Sequence, residues 1–157
     1  MQNSREAIYN ALLAKLQTIL PNSQVQTFSR VWRPHTDYKA PQLPAVVLDE
    51  KKEVAKAADW GAPALYHLYV DIWLYVLNDP LSQIPGQETM VPMTPINELI
   101  DLLENSPLAN PPGPPAETLG GLVVRAYIEG DILKAVATGS SQQLYSLARV
   151  PLVIFTT

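Results

Sequence analysis

The chain has two histidines, His35 and His67, and the second lies four residues before Asp71. A metal site requires two or three histidines, or histidine with carboxylates, that converge in space. His35 lies in a proline-flanked loop, and along a strand His67 and Asp71 are two same-face steps apart, further than shared ligation usually allows. We therefore interpret His67 as a half-exposed strand histidine, and we expect no metal site and no cofactor.

A second group that could do chemistry is the acidic trio Glu98, Asp101 and Glu104. Acid–base catalysis by paired carboxylates needs a cleft that makes the two groups differ in their proton affinity. These three lie opposite the apolar stripe of a predicted helix, which is the position of an ordinary solvated face. No serine lies in a Gly-x-Ser-x-Gly elbow, and no phosphate-binding lysine follows Gly120–Gly121. We therefore expect no catalytic site and no enzymatic activity.

Composition narrows the classes of protein further. The 157 residues fit one domain, and the absence of cysteine excludes disulfide scaffolds, thiolate zinc sites and cysteine nucleophiles. A net charge of -4 argues against nucleic-acid binding over the whole surface. Asp71 and Asp79 interrupt the most apolar region, so no membrane span is predicted. The opening MQNSRE lacks an apolar signal core, so we expect a cytosolic start.

Periodicity predicts two helices and six strands. The first helix spans residues 4–19 with Asn3 as its N-cap, and the second begins at Pro95 with Thr94 as its cap. The strands are predicted over residues 25–32, 45–49, 66–77, 122–129, 132–137 and 145–155. The third of these is apolar on both faces, which is typical of a central strand. The chain is therefore predicted to be a single α+β domain, with a mainly antiparallel sheet packed with two helices in the order α-β-β-β-α-β-β-β.

Glycine turns and proline-rich loops separate these elements. Gly130–Asp131 and Gly139–Ser140 each suit a tight hairpin turn. Nine of the 15 prolines lie between residues 80 and 115, and they predict proline-rich loops at 80–94 and 106–116. The second loop is expected to be stiff and exposed.

The charges are segregated along the sequence. Residues 57–124 contain eight acidic residues and no Lys or Arg, whereas residues 1–56 contain eight bases against five acids. Residues 125–157 contain three bases against two acids. Such segregation suits a subunit that presents one sign of charge to a neighbour carrying the other. The alternative is that folding mixes the signs again in space.

A distributed pattern of segments resembles a known family. It consists of REAIYNALLAKL, RVWRPHTDYKAPQLPAVVL, LYHLYVDIWLYVL, PINELIDLLEN, ETLGGLVVRAYIEGDI and PLVIF, in that order. Together they resemble the small tail-terminator (tail-completion) proteins of long-tailed bacteriophages. The resemblance covers most of the chain, but not the stretch 80–94 or the proline cluster 107–115.

The resemblance implies a structural role in the virion. Subunits of this family form a ring, usually a hexamer, that caps the completed tail tube and stops its polymerisation. The ring offers the docking surface for the connector of the filled head, and DNA passes through its lumen without specific binding. The implied partners are further copies of the chain, the tail-tube protein and a head connector or neck protein. The implied location is the tail–neck region, after assembly in the host cytoplasm.

Two sets of residues are candidates for these contacts. The candidate interface residues, in or next to a proline-framed loop, are Trp32, Arg33, His35, Tyr38 and Lys39, although Trp32 could instead belong to the core. The candidate residues facing the lumen or a basic neighbour are Glu98, Asp101 and Glu104. Three other functions stay open: another neck or head-completion protein, a small cytosolic enzyme with a pocket around His67 and Asp71, and a binding module that uses residues 107–115 as a proline-rich ligand.

Overall fold

The structure is a computed structural model that describes residues 1–57, 59–78, 93–109, 116–138 and 144–157. Within these ranges it contains α1 (Arg5–Ile19), β1 (Thr27–Ser29), β2 (Ala45–Lys56), β3 (Leu65–Asn78), α2 (Thr94–Glu104), β4 (Arg125–Ile128), β5 (Leu133–Thr138) and β6 (Leu144–Thr156). The order of helices and strands is the predicted one. Two short 3-10 turns between β1 and β2, His35–Asp37 and Ala40–Gln42, are additional.

The strands form one sheet in the order β1-β2-β3-β6-β4, and β5 also pairs with β6. β1 runs parallel to β2, whereas the other pairs of described strands are antiparallel. β3 pairs along nearly its whole length with β2 on one side and with β6 on the other. The predictions of an α+β fold, a mainly antiparallel sheet and a central third strand are therefore confirmed.

Both helices pack on the same face of the sheet. The even-numbered residues of β3 face them and are almost fully buried: Leu68, Val70, Ile72, Leu74 and Val76. The helices contribute to the same core Ile8, Leu12 and Leu16 of α1 and the predicted apolar stripe of α2, Ile96, Leu99, Ile100 and Leu103. A spacing of three and four residues turns these side chains to one side of each helix.

The odd-numbered residues of β3 face the other side of the sheet, which neither α1 nor α2 covers. Near one end of β3, Tyr75 is buried with Tyr38, Leu43 and Tyr145 in a second, smaller apolar cluster. Tyr38 and Leu43 come from the segment between β1 and β2, so a loop covers this end of the face. At the other end, around Tyr69, the side chains are half-buried or buried although neither helix lies on this side.

The residues that cap the helices differ from the predicted ones. Ser4, not Asn3, is the N-cap of α1, and its Oγ accepts a hydrogen bond from the backbone N–H three residues on, at 3.2 Å. The Asn3 amide instead donates to the Leu122 carbonyl oxygen at 2.7 Å. Thr94 lies inside α2, and Met93 is the N-cap without a side-chain hydrogen bond. Adjacent polar residues compete for a cap position, and their tertiary partners decide between them.

The boundaries of β1 and β2 are set by strand pairing. The strand predicted over 25–32 is too long, because only Thr27–Ser29 lies opposite β2. The strand predicted over 45–49 is too short, because β2 continues to Lys56 through a bulge after Glu50. The second half of β2 has the charged composition of a loop, and its pairing with β3 holds it in the sheet.

The predicted hairpin at Gly130–Asp131 is wrong. β4 and β5 do not pair with each other, and both pair antiparallel with β6, one after the other along the same edge. Gly130 lies where this edge is interrupted, with a φ of +116°. A Cβ at Gly130 would lie 3.1 Å from Cγ of Pro151. The glycine is needed for close approach to β6 and not for a turn.

The other turn and loop predictions are only partly covered by the structure. The predicted turn at Gly139–Ser140 lies outside the described residues, but β5 and β6 pair antiparallel on either side of it, as in a hairpin. Most of the loops predicted at 80–94 and 106–116 also lies outside. Leu108 belongs to the second loop and is fully buried, so the expectation that this loop is exposed is wrong there. Its carbonyl oxygen accepts a hydrogen bond from Ile128 N–H at 2.8 Å, which joins the loop to β4.

We expect Gly130→Ala to lower the free energy of unfolding by about 1 kcal/mol more than Gly121→Ala does. Both glycines have positive φ, which an alanine resists, but at Gly121 no atom lies within 4 Å of the position that a Cβ would take. Only the change at Gly130 also presses against Pro151. Denaturant unfolding of the two variants measures the difference, and equal losses would show that the contact with Pro151 is unimportant.

Candidate interaction surfaces

The loop between β1 and β2, residues 30–44 (the corner loop), is fastened to the domain where it begins. Arg30 Nη1 donates to Glu6 Oε2 of α1 at 2.7 Å, and its Nη2 donates to Glu50 Oε1 of β2 at 2.6 Å. The Glu6 hydrogen bond raises the pKa of Arg30 above its ordinary value, and Arg30 in turn lowers the pKa of Glu6. The guanidinium also lies 5.4 Å from the Tyr9 ring centroid. These contacts fix the backbone that leads into the loop.

Three of the five candidate interface residues are on the surface. Trp32 is 44% exposed although its ring lies 6.2 Å from that of Trp73, so it is not a core residue. Arg33 and Lys39 are exposed. The backbone of Arg33 is nevertheless held, because its carbonyl oxygen accepts a hydrogen bond from Tyr75 Oη at 2.8 Å. The side chains of Trp32 and Arg33 therefore project from a fixed position.

The other two candidates, His35 and Tyr38, point towards the sheet. Tyr38 is buried, and its ring lies 5.6 Å from that of Tyr75. His35 is half-buried, with its ring 5.0 Å from that of Tyr145. Both side chains attach the corner loop to the sheet, so only three of the five predicted interface residues are exposed.

The acidic residues of α2 form a continuous exposed surface. Glu98, Asp101 and Glu104 (the acidic face) are exposed, and none of them forms an ion pair with a described residue. Lys134 of β5 contacts α2 at a different residue, since its Nζ donates to Asn97 Oδ1 at 3.0 Å. The acidic face is thus free to interact with another molecule.

Folding mixes part of the segregated charge. Glu117 is 5% exposed, and its carboxylate accepts from the Leu119 N–H at 2.7 Å and pairs with Lys15 Nζ at 2.8 Å. Asp71 lies 3.9 Å from Lys51 Nζ and 3.8 Å from Arg149 Nε. Two acidic residues of the 57–124 segment are therefore paired with bases from the flanks, whereas the acidic face keeps its charge.

The end of the sheet away from the corner loop carries a group of side chains that we name the aromatic face: His67, Tyr69, Tyr127, Val153 and Phe155. His67, Tyr69 and Phe155 are half-buried, whereas Tyr127 and Val153 are buried. The rings of Tyr127 and Phe155 are stacked, with their centroids 5.6 Å apart. The centroid of the His67 ring lies 4.2 Å from that of Phe155. Burial, and then the charge of Lys56, lowers the pKa of His67. The aromatic strand β3 is predictable from the sequence. The position of Phe155 and Tyr127 on the same surface is not.

Two cations lie over the rings of the aromatic face. Lys52 Nζ is 4.8 Å from the Tyr69 ring centroid. Arg125 Cζ is 4.8 Å from that of Phe155 and 5.0 Å from that of Tyr127. Neither contact is predictable from the sequence, because the two cations come from β2 and β4 and reach this surface only through the long-range pairing of four strands.

Trp60 is a further exposed aromatic residue that the sequence analysis did not select. It lies between β2 and β3 and is as exposed as a tryptophan in an extended peptide, at 106%. Its position between Asp59 and Gly61, in a turn composition, is the signal that could have identified it.

Comparison with models of known protein families and with curated proteins finds no match for this chain. Among the described residues, no group of three or more His, Asp and Glu could hold a metal ion. No helix in the described part of the chain is long and apolar enough to span a membrane.

We expect Tyr75→Phe to loosen the corner loop. The change removes the hydroxyl that donates to the Arg33 carbonyl oxygen, a hydrogen bond worth about 1 kcal/mol. Amide hydrogen exchange should become faster in the corner loop and stay unchanged in α1. Tyr127→Phe is the matched control, because the Tyr127 hydroxyl makes no hydrogen bond to a described residue. Unchanged exchange in Tyr75→Phe would show that packing alone holds the loop.

We expect Asp71→Asn to stabilise the protein at neutral pH. Burial raises the pKa of Asp71 in the folded state, and the nearby Arg149 and Lys51 oppose this shift without cancelling it. The folded state therefore holds the proton more tightly than the unfolded state, and wild-type stability falls as the pH rises through the interval between the two pKa values. The free energy of unfolding of Asp71→Asn should exceed that of wild type at pH 7, with the difference vanishing in acid. A variant less stable than wild type at pH 7 would show that the cations dominate.

Proposed function

We propose that this chain is a ring-forming virion structural protein, the tail terminator of a long-tailed bacteriophage. Its ring caps the completed tail tube, stops polymerisation of the tube and provides the docking surface for the head connector. Its partners are copies of itself, the tail-tube protein and a head connector or neck protein. It acts in the tail–neck region of the virion, needs no cofactor and catalyses no reaction.

The observation that carries this proposal is the exposed pair Trp32 and Arg33 on a fixed backbone. Tryptophan and arginine are the residues most enriched among those that dominate binding energy at protein interfaces. A surface that is already ordered loses little conformational entropy when a partner binds. This pair also lies in the segment RVWRPHTDYKAPQLPAVVL, which is part of the resemblance to the tail-terminator family.

The distribution of charge agrees with assembly into a ring. α2 and the aromatic face lie on opposite sides of the sheet, and one is acidic whereas the other has cations over its rings. A ring is built from heterologous contacts, in which one patch of a subunit meets a different patch of the next subunit. A subunit with two unlike sides has the asymmetry that such contacts require.

A conduit for DNA must not hold its cargo. Cations that neutralise phosphates are the main source of non-specific DNA affinity, whereas carboxylates repel the phosphate backbone. The net charge of -4 therefore suits a ring through whose lumen DNA passes transiently.

We expect Arg33→Glu to weaken assembly and to leave the subunit folded. The Arg33 side chain makes no hydrogen bond to a described residue, and only its backbone is held by Tyr75. Native mass spectrometry and light scattering should find a ring, of about six subunits by family resemblance, for wild type and for the charge-preserving control Arg33→Lys. The subunit concentration at which half of the protein is assembled should be at least about tenfold higher for Arg33→Glu than for wild type. An unchanged ring in Arg33→Glu would exclude this residue from the contact.

The role at the tail is tested separately by binding to purified virion parts. The wild-type chain should bind to the ends of tail tubes that lack a terminator and should halt their elongation, as seen by electron microscopy. Binding to filled heads in the absence of tails, with no effect on tube length, would instead identify a head-completion or neck protein.

A further inference from the structure

The cations near the aromatic face differ in whether they have a partner. Lys51 Nζ lies 2.7 Å from the Asp49 carboxylate, and Arg149 lies 3.8 Å from Asp71, so both are at least partly neutralised. Three others form no ion pair with any described residue: Lys52, Lys56 and Arg125. Glu129 is a nearby carboxylate that also lacks a cation. This side of the sheet therefore has a surplus of unpaired positive charge.

The aromatic face has the size and composition of a docking site. In the strand register, Lys52 lies opposite Tyr69, Tyr69 opposite Val153, and Val153 opposite Tyr127. Strands are spaced about 4.8 Å apart, so this row is about 14 Å wide. An α-helix with its side chains is about 10–12 Å in diameter and fits across it. The centre of the row is already buried within the subunit, with Val153 1% and Tyr127 8% exposed. A partner therefore meets the exposed charged rim of Lys52, Lys56 and Arg125. A polar, solvent-accessible rim is the usual border of a protein interface.

The acidic face offers the opposite charge on an element of matching size. Glu98, Asp101 and Glu104 recur every three residues and span about 9 Å along the helix. α2 contains no Lys or Arg, and all three carboxylates are unpaired. Because α2 packs on the far side of the sheet, the acidic face cannot reach the aromatic face of its own subunit. The two surfaces can meet only between two copies of the chain.

We infer that the aromatic face of one copy binds the acidic face of α2 of the next copy. This inference rests on the proposed function and identifies one joint of the proposed ring. The carboxylates of α2 pair with Lys52, Lys56 and Arg125, and the helix lies over the cations that cover the rings. The contact is heterologous, so it repeats from subunit to subunit. The acidic face then lies at the joint and not in the lumen.

The cations are placed for a protein partner and not for nucleic acid. Lys52 lies over Tyr69, and Arg125 lies over Phe155 and Tyr127, so these ring faces are already occupied. Sheet surfaces that bind single-stranded nucleic acid leave their ring faces open, so that bases can stack on them. Carboxylates can approach the cations from the rim without displacing them.

Two charge-reversed variants test this joint. Lys52→Glu/Arg125→Glu makes the aromatic face negative, and Glu98→Lys/Asp101→Lys/Glu104→Lys makes the acidic face positive. In each variant alone, like charges face each other at every joint. We therefore expect the subunit concentration at half assembly, measured by light scattering, to rise at least about tenfold. In an equimolar mixture each joint regains opposite charges, and rings in which the two variants alternate should form. Native mass spectrometry distinguishes such rings by mass.

The controls separate the joint from net charge and from folding. Asp59→Lys reverses one exposed carboxylate that belongs to neither surface, and it should assemble like wild type. Thermal unfolding and circular dichroism of each variant should match wild type. Recovery of assembly in the mixture is itself evidence that both variants are folded.

The outcomes distinguish failure of the joint from failure of the proposed function. If wild type forms rings and both charge-reversed variants form them at the same concentration, the joint is overturned and the proposed function stands. A wild-type chain that stays monomeric at every concentration would overturn both. Loss of DNA binding in Lys52→Glu/Arg125→Glu, together with unchanged ring formation, would overturn the joint and assign the aromatic face to nucleic acid.

Discussion

A β-strand turns successive side chains to opposite sides of its sheet, and the two sides of β3 meet different surroundings. Even-numbered side chains such as Leu68 and Ile72 are buried under α1 and α2, whereas odd-numbered ones such as Tyr69 and Trp73 face the side without a helix. A register shift of one residue would exchange the two sets and expose the core. Since β2 and β6 hold β3 on both edges, this register is fixed, and the positions of the corner loop and the aromatic face follow from it.

Two features on the side without helices carry the contacts that we propose. The corner loop covers one end of the sheet, where Tyr38 packs against Tyr75, and it carries Trp32 and Arg33 outwards. The other end holds half-buried and buried rings beneath the exposed side chains of Lys52 and Arg125. Both features place aromatic and cationic groups at the surface without unfolding any part of the core. In the proposed ring, the contacts therefore form through surfaces that are already ordered in the subunit.

Local patterns predicted the helices, the central strand and the fold class, because the spacing of Ile8, Leu12 and Leu16 or the aromatic run in β3 reports directly on burial. Features that depend on distant partners were not predictable in this way. Gly130 has the composition of a hairpin turn, and only its approach to Pro151 shows that it interrupts an edge strand. The aromatic face likewise joins residues almost 90 positions apart, such as His67 and Phe155, which no local pattern connects. The acidic face was predicted correctly as a solvated surface, since its helix has one apolar side.

We propose that copies of this subunit join through unlike surfaces into a closed ring at the end of a tail tube. Cryo-electron microscopy of the wild-type chain bound to tail tubes shows the closure of the ring, its position and its joints in one map. We expect a closed ring at the tube end, with α2 of each subunit against the aromatic face of its neighbour. An open filament, a two-fold dimer or subunits bound along the side of the tube would rule out this assembly.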